Sequence, residues 1–186
     1  PIYFENRGLL FEIDAQIFMP LEIIATIKTL DQKIFKAMLK RNTEWTKLTE
    51  GMLFFYGVLD SSTLIEKVTY YTGHPVDKMD FVQVLSDYIS YNEGIFYDPD
   101  YGYCYFLVDD PAYFNNEHRA RASVDYYPFK KNELLRAANE DYVDRHPYHQ
   151  QLVRFLTNKW DINESNAEFI LEEIVIAVQM DVTHSE

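Results

Sequence analysis

Three groupings of residues in this chain are of the types that could do chemistry. The first is His146-x-x-His149, with Asp141 and Asp144 close by and His118 upstream. A zinc ion takes four protein ligands, or three and a water. The histidine spacing puts both rings on one side of a helical turn, but Pro147 lies between them and suits only the first turn of a helix. No ligand set is complete, so these residues read as surface histidines at a helix start. The second grouping, Asp98-x-Asp100-x-Gly102, has the opening of a calcium loop. That motif needs glycine at its sixth position and a bidentate glutamate at its twelfth. Here Gly102 is fifth and Asp109 twelfth, and a hairpin turn accounts for the same residues. The third is Cys104, a nucleophile only if a base stands beside it. It has no histidine close in sequence and falls in a predicted strand, which favours packing. There is no G-x-S-x-G elbow, and the six glycines (8, 51, 57, 73, 94, 102) are isolated, so none forms a phosphate cradle. They read as punctuation, mostly at element ends. No catalytic residue, cofactor or metal is assigned.

The charged residues are more informative. The chain of 186 residues carries a formal net charge of −13, and its distribution is uneven. Residues 48–118 hold two basic residues against twelve acidic ones, whereas residues 1–47 hold seven against six. Asp77, Asp80, Gln83 and Asp87 share the outer face of one predicted helix, and Asp98, Asp100 and Tyr101 occupy a predicted hairpin turn. These seven are the candidate partner-binding residues. Tyr97, Tyr103 and Tyr105 add aromatic surface to the hairpin, and tyrosine is enriched in protein interfaces. A nucleic-acid duplex is bound by cations that displace its counterions, so this segment is expected to repel DNA and suit a basic protein partner. Lys28, Lys33, Lys36, Lys40 and Arg41 form the one markedly basic region.

The elements that must position these residues follow from periodicity. Trp45, Leu48, Thr49, Met52, Leu53 and Tyr56 fall on one helical face, ended by Gly57. Val58-Leu59 makes a short strand. Asp60, Ser61 and Ser62 cap a helix bearing Leu64, Ile65, Val68 and Tyr71. Asp77 caps a third helix, with Phe81, Val82, Leu85, Tyr88 and Ile89 inward. Ile95–Tyr97 and Tyr103–Val108 flank the turn as a hairpin. Helix, strand, helix, helix, hairpin is the order of a winged helix.

Outside this centre, residues 1–19 suggest an extended segment or hairpin, and two helices follow, one through Leu21–Leu30 and one bearing Ile34, Phe35, Met38 and Leu39. The run Asn115–Arg119 lacks a period and reads as a linker. A helix with Leu134 and Leu135 comes next, then a helical hairpin. Its first arm carries Leu152, Phe155, Leu156 and Trp160. Its second carries Ala167, Ile170, Leu171, Ile174, Val175 and Val178 behind a cap at Asn163 or Ser165, the latter with Glu168 as a capping box. The expected fold is mostly α with a small β component (α+β): an N-terminal extended segment and two helices over 1–42, a winged-helix-like domain over 43–111, and a linker with a C-terminal helical subdomain over 112–186.

At Asn42, Gly51-Met52-Leu53 and Tyr56-Gly57-Val58-Leu59, and again over Leu152–Gln179, the chain resembles a loose group of uncharacterised Firmicutes and phage proteins. The likeness spans about residues 20–180. It implies an α-rich, winged-helix-like architecture and no activity. Some members carry a cysteine-rich SEC-C zinc motif, which is missing here.

No apolar run approaches the roughly 20 residues that cross a bilayer, no secretory signal is visible, and a single cysteine fits a reducing compartment. A cytoplasmic location is the expectation. The favoured reading is a non-catalytic interaction module with an acidic winged-helix-like surface, an inhibitor or adaptor of a basic or nucleic-acid-binding protein. The alternatives are a winged-helix transcriptional regulator touching DNA through Lys28–Arg41, and a metal-dependent hydrolase using His118, His146 and His149.

Overall fold

The structure, a computed structural model, describes residues 2–139, 142 and 148–179. It is mostly helical with two small antiparallel sheets. A short helix α1 (Ile2–Glu5) leads into a hairpin of β1 (Phe11–Ile13) and β2 (Gln16–Phe18), then α2 (Leu21–Thr29).

One helix, α3 (Gln32–Tyr56), replaces the two expected on either side of Asn42. It therefore runs unbroken through the expected domain boundary at 42/43. Asn42 and Thr43 are mediocre helix formers, but each costs only about 0.7 kcal/mol or less relative to alanine. That is too little to justify ending one helix and nucleating another. At 1.5 Å per residue, α3 is about 37 Å long. Asp31 caps its start by accepting from the Lys33 and Ile34 amides at 2.8 and 3.1 Å, and Gly57 ends it at φ 74°.

The centre follows as read from the sequence: β3 (Val58–Leu59), α4 (Ser61–Thr72), α5 (Lys78–Ile89), and a hairpin of β4 (Ile95–Asp98) and β5 (Gly102–Tyr105). The strand expected to reach Val108 stops at Tyr105. The sheet order is β3-β5-β4, with Val58 opposite Cys104 and Phe96 opposite Cys104 on the other side. Both faces of β5 are covered. Tyr103 joins Leu48, Met52, Leu53, Leu64, Phe81 and Leu85 in the main core, while Cys104 packs with Val58 and Val108 in a smaller cluster.

The covering element on that second side is α6 (Pro111–Ala120), where a linker was expected. Asp110 caps it, accepting from the Tyr113 amide at 3.0 Å, and Pro111 occupies the first turn, where its missing N–H costs nothing. Phe114 then seats on Gly57: a Cβ there would fall 2.7 Å from the Phe114 ring.

Helix α7 (Lys131–Ala137) lies across α3 at Gly51, where a Cβ would stand 2.0 Å from the Leu134 carbonyl oxygen. Gly51 is thus a point of backbone approach in mid-helix rather than punctuation. The chain closes with α8 (His149–Trp160) and α9 (Glu164–Gln179), packed through Val153, Leu156, Ala167 and Leu171. Asn163 caps α9, accepting from the Asn166 amide at 2.8 Å. No helix among the described residues is long and apolar enough to cross a membrane.

Candidate functional site

The structure gathers Asp77, Asp80, Gln83 and Asp87 onto α5, and Asp98, Asp100 and Tyr101 into the β4–β5 turn, but the carboxylates on α5 are not a bare acidic face. Asp77 is the helix cap and accepts from the Asp80 amide at 2.9 Å. Asp80 is paired at 2.9 Å with Arg41, whose guanidinium also sits 4.4 Å over the Trp45 ring. Asp87 is paired at 2.9 Å with Arg7, which donates to Ser90 as well. Surface pairs of this kind contribute only about 0–1 kcal/mol each. Their consequence is electrostatic: the local field of α5 is close to balanced. Arg41 belongs to the basic region read from the sequence, but its pairing with Asp80, like that of Arg7 with Asp87, joins residues 39 and 80 positions apart and leaves no local signal.

At the hairpin, Asp98 accepts from the amides of Asp100 and Tyr101 at 2.8 and 3.1 Å, an Asx turn that fixes the bend. Asp100 is exposed, Tyr101 half-buried and Gln83 exposed. The hairpin tip holds no basic residue, so its charge is uncompensated by anything on the same turn.

A second region gathers polar side chains that the sequence scattered. A cavity of about 730 Å³ lies between β3, the hairpin tip and α6, lined in part by Asp60, Asp100, His118, Arg119, Asp125 and Tyr126. The His118 Nδ1 is 3.3 Å from the Tyr126 hydroxyl, and the same imidazole bonds the Tyr56 backbone. Burial holds its pKa below the usual histidine range. Lys67 reaches over the Tyr126 and Tyr56 rings, at 4.4 and 5.2 Å from their centroids, and burial lowers its pKa too. Burial, then the nearby Asp60, raise that of Tyr126. Burial opposes the charge on Asp60, but hydrogen bonds from Ser62 and Thr63 outweigh it and hold the carboxyl below its ordinary value.

Chemically this cluster falls short of a catalytic constellation. A nucleophile–base pair needs a third group to orient the base, and no carboxylate bonds His118 among the described residues. Asp60 is occupied as the cap of α4. Cys104 is buried, and burial with the neighbouring Asp98 pushes its thiol up to about 12. Of the candidate metal ligands, His118 is engaged with Tyr126 and His149 opens α8, while His146, Asp141 and Asp144 lie outside the described residues. Among the described residues, no group of three or more His, Cys, Asp or Glu could hold a metal ion.

A third region is apolar. From Phe4 to Glu44 no described side chain is buried. Leu21, Ile34, Met38 and Leu39 are between 47% and 78% exposed, and Phe11 and Phe18 stack on each other at the surface of the first hairpin. The α2–α3 arm therefore has the periodicity of a packed helix pair, with nothing among the described residues burying its apolar stripe. Helix α9 repeats the situation: beyond the side packed on α8, it exposes Phe169, Ile170, Ile174 and Ile176. No protein-family model, curated protein or solved structure matches the chain.

Proposed function

We propose that this is a non-catalytic interaction protein whose winged-helix-like centre, from the second half of α3 to β5, meets another protein rather than a nucleic acid. The element order and the β3-β5-β4 strand order support the winged-helix-like reading. The observation that carries the choice of partner is the charge pairing on α5. Both guanidinium groups that reach this helix, Arg7 and Arg41, are taken by its own carboxylates. Helix α5 itself supplies one lysine, Lys78, and the hairpin tip supplies Asp98 and Asp100. A surface with so few uncommitted cations has little counterion release to gain from a duplex. A basic protein surface meeting the hairpin acids, with Gln83 and Tyr101 as further contacts, fits an adaptor or inhibitor, and complementarity of this kind speeds association and selects partners.

The test has two arms. Anisotropy titration with fluorescent duplex DNA at low salt should show no tight binding. A partner captured from the native host should lose affinity for Asp98→Lys/Asp100→Lys while that variant keeps its helical circular dichroism. Tight duplex binding that collapses with added salt would overturn the reading.

A second reading has its own observation. Lys28, Lys33, Lys36 and Lys40 are exposed and make no ion pair among the described residues, so a DNA-binding regulator would use that arm. Its signature is salt-sensitive binding abolished by Lys33→Glu/Lys36→Glu/Lys40→Glu.

A further inference from the structure

We infer that the cavity between α3, α7 and the open end of the β4–β5 hairpin binds a methylated ammonium group. The inference stands on this cavity and does not depend on what α5 or the hairpin tip meets.

The cavity has a volume of about 520 Å³ and is lined in part by Glu50, Phe54, Tyr91, Glu93, Tyr105 and Phe106. That size falls within the roughly 300–1,000 Å³ of small-molecule sites. The topology brings these residues together. Glu50 and Phe54 are four residues apart on α3 and so share a face. The antiparallel pairing of Ile95 with Tyr105 sets the start of β4 beside the end of β5, and the Phe106 amide donates to the Gly94 carbonyl at 3.1 Å. Tyr91 and Glu93 lie on the short link from α5 to β4.

The rings stand as walls rather than as a stack. Phe54 meets Tyr105 at 5.5 Å and 77°, and Tyr142, which also lines the cavity, at 5.3 Å and 76°. Tyr105 meets Phe106 at 4.8 Å and 62°. Steeply inclined ring planes around one space are the arrangement of an aromatic cage, which holds a cation by the negative faces of its rings.

The polar groups set the sign of the ligand. Among the described residues that line the cavity, the carboxylates of Glu50 and Glu93 are the only charged groups. Glu50 is held in place. The Tyr88 hydroxyl donates to one of its oxygens at 2.9 Å, and the Asn92 side-chain amide donates to that hydroxyl at 2.8 Å. The other oxygen lies toward Gly94, where a Cβ would come within 2.7 Å of it. Burial, then the charge of Glu50, push the Tyr105 phenol up to about 12, so that ring stays neutral while the carboxylate's field reaches it. An anion would be repelled here, and a neutral guest would take water from the carboxylates with no charge supplied in return. A primary ammonium brings three donors that each need an acceptor. A methylated ammonium needs none, and ring faces with a carboxylate field are what it binds. The same group is carried by a free quaternary amine and by a trimethylated lysine on a protein.

The experiment titrates the full chain with choline chloride, with the neutral tert-butyl isostere of choline, and with a short peptide carrying trimethyllysine. Calorimetry gives the affinities, and proton spectra of the ligand methyl groups report ring currents. Choline should bind about tenfold or more tighter than its isostere, the margin that attraction to rings and carboxylates supplies, and its methyl resonance should move upfield. Tyr91→Leu/Phe106→Leu removes two rings at positions 55% and 50% exposed. It should weaken choline binding about tenfold while keeping the parent's circular dichroism. Glu93→Gln should weaken it severalfold. A peptide that binds about tenfold tighter than choline upholds the site and makes a modified protein its source; similar affinities uphold it with a free amine. Absence of choline and peptide binding up to about 10 mM, an isostere that binds as well as choline, or a folded double variant that binds choline like the parent would each overturn the inference.

Discussion

Replacing Gly51 by alanine sets two effects of opposite sign against each other. Intrinsic propensity says Gly51→Ala should stabilise α3, because glycine inside a helix is worse than alanine by about 1 kcal/mol. The packing says the reverse. The added Cβ would sit 2.0 Å from the Leu134 carbonyl oxygen, 2.6 Å from its carbon and 3.0 Å from its Cα. Non-bonded atoms come to rest at roughly 3.5 Å, so α7 must retreat by about 1.5 Å. The obstacle is backbone, and no rotamer change relieves it. Moving α7 lifts Leu134 and Ala137, both buried, away from α3. Overpacking costs about 1–3 kcal/mol, and partial exposure of a leucine costs up to about 1.5–3 kcal/mol more. Against the propensity gain, the net is a loss of about 2–4 kcal/mol. For a chain of this size that lowers Tm by roughly 5–15 °C. Urea and thermal denaturation followed by circular dichroism measure both quantities. If Gly51→Ala is as stable as the parent or more so, the close approach of α3 and α7 is wrong, and with it the placement of α7 in the core.

Two further substitutions probe polar groups. The Thr49 hydroxyl is buried with no hydrogen-bond partner among the described residues, so the near-isosteric Thr49→Val should raise stability by about 1 kcal/mol, the low end of what an unsatisfied buried group costs; a loss of that size would mean that the hydroxyl is bonded after all. Asp60→Ala should cost about 1 kcal/mol at pH 7 through loss of the α4 cap, with Asp60→Asn close to the parent. Because the folded pKa of Asp60 lies below its unfolded value, its charge adds stability above about pH 4 and loses it as the pH falls through the folded pKa. The gap between parent and Asp60→Ala should therefore narrow on acidification, and a gap that widens would contradict the sign.

Much of the centre could be read from local signals. Asp60 and Asp77 each precede an apolar-periodic run and each caps the helix expected of it, and Gly57 ends α3 where a left-handed residue was expected. Helix α6 escaped because its evidence is not periodic. Its polar residues Asn115–Arg119 look like a loop, and its place is set by the Asp110–Pro111 start and by Phe114 meeting Gly57, a residue far away in the chain. The candidate site suffered in the same way. The acids on α5 were found by their spacing, but their charge could not be assessed without Arg7 and Arg41, which only the tertiary structure brings to them.

The N-terminal arm shows a different limit. A stripe such as Ile34, Phe35, Met38 and Leu39 states that a face is built to be covered, and says nothing about what covers it. Where the partner lies in the same chain, as for Leu48 and Met52, burial follows. Where α3 carries the stripe beyond the reach of its own core, the same pattern remains at the surface. Charge does not supply the missing information. Lys33, Lys36 and Lys40 fall on the face of α3 opposite that stripe, so whatever covers the apolar residues does not meet those cations, and the stripe has to be read without them.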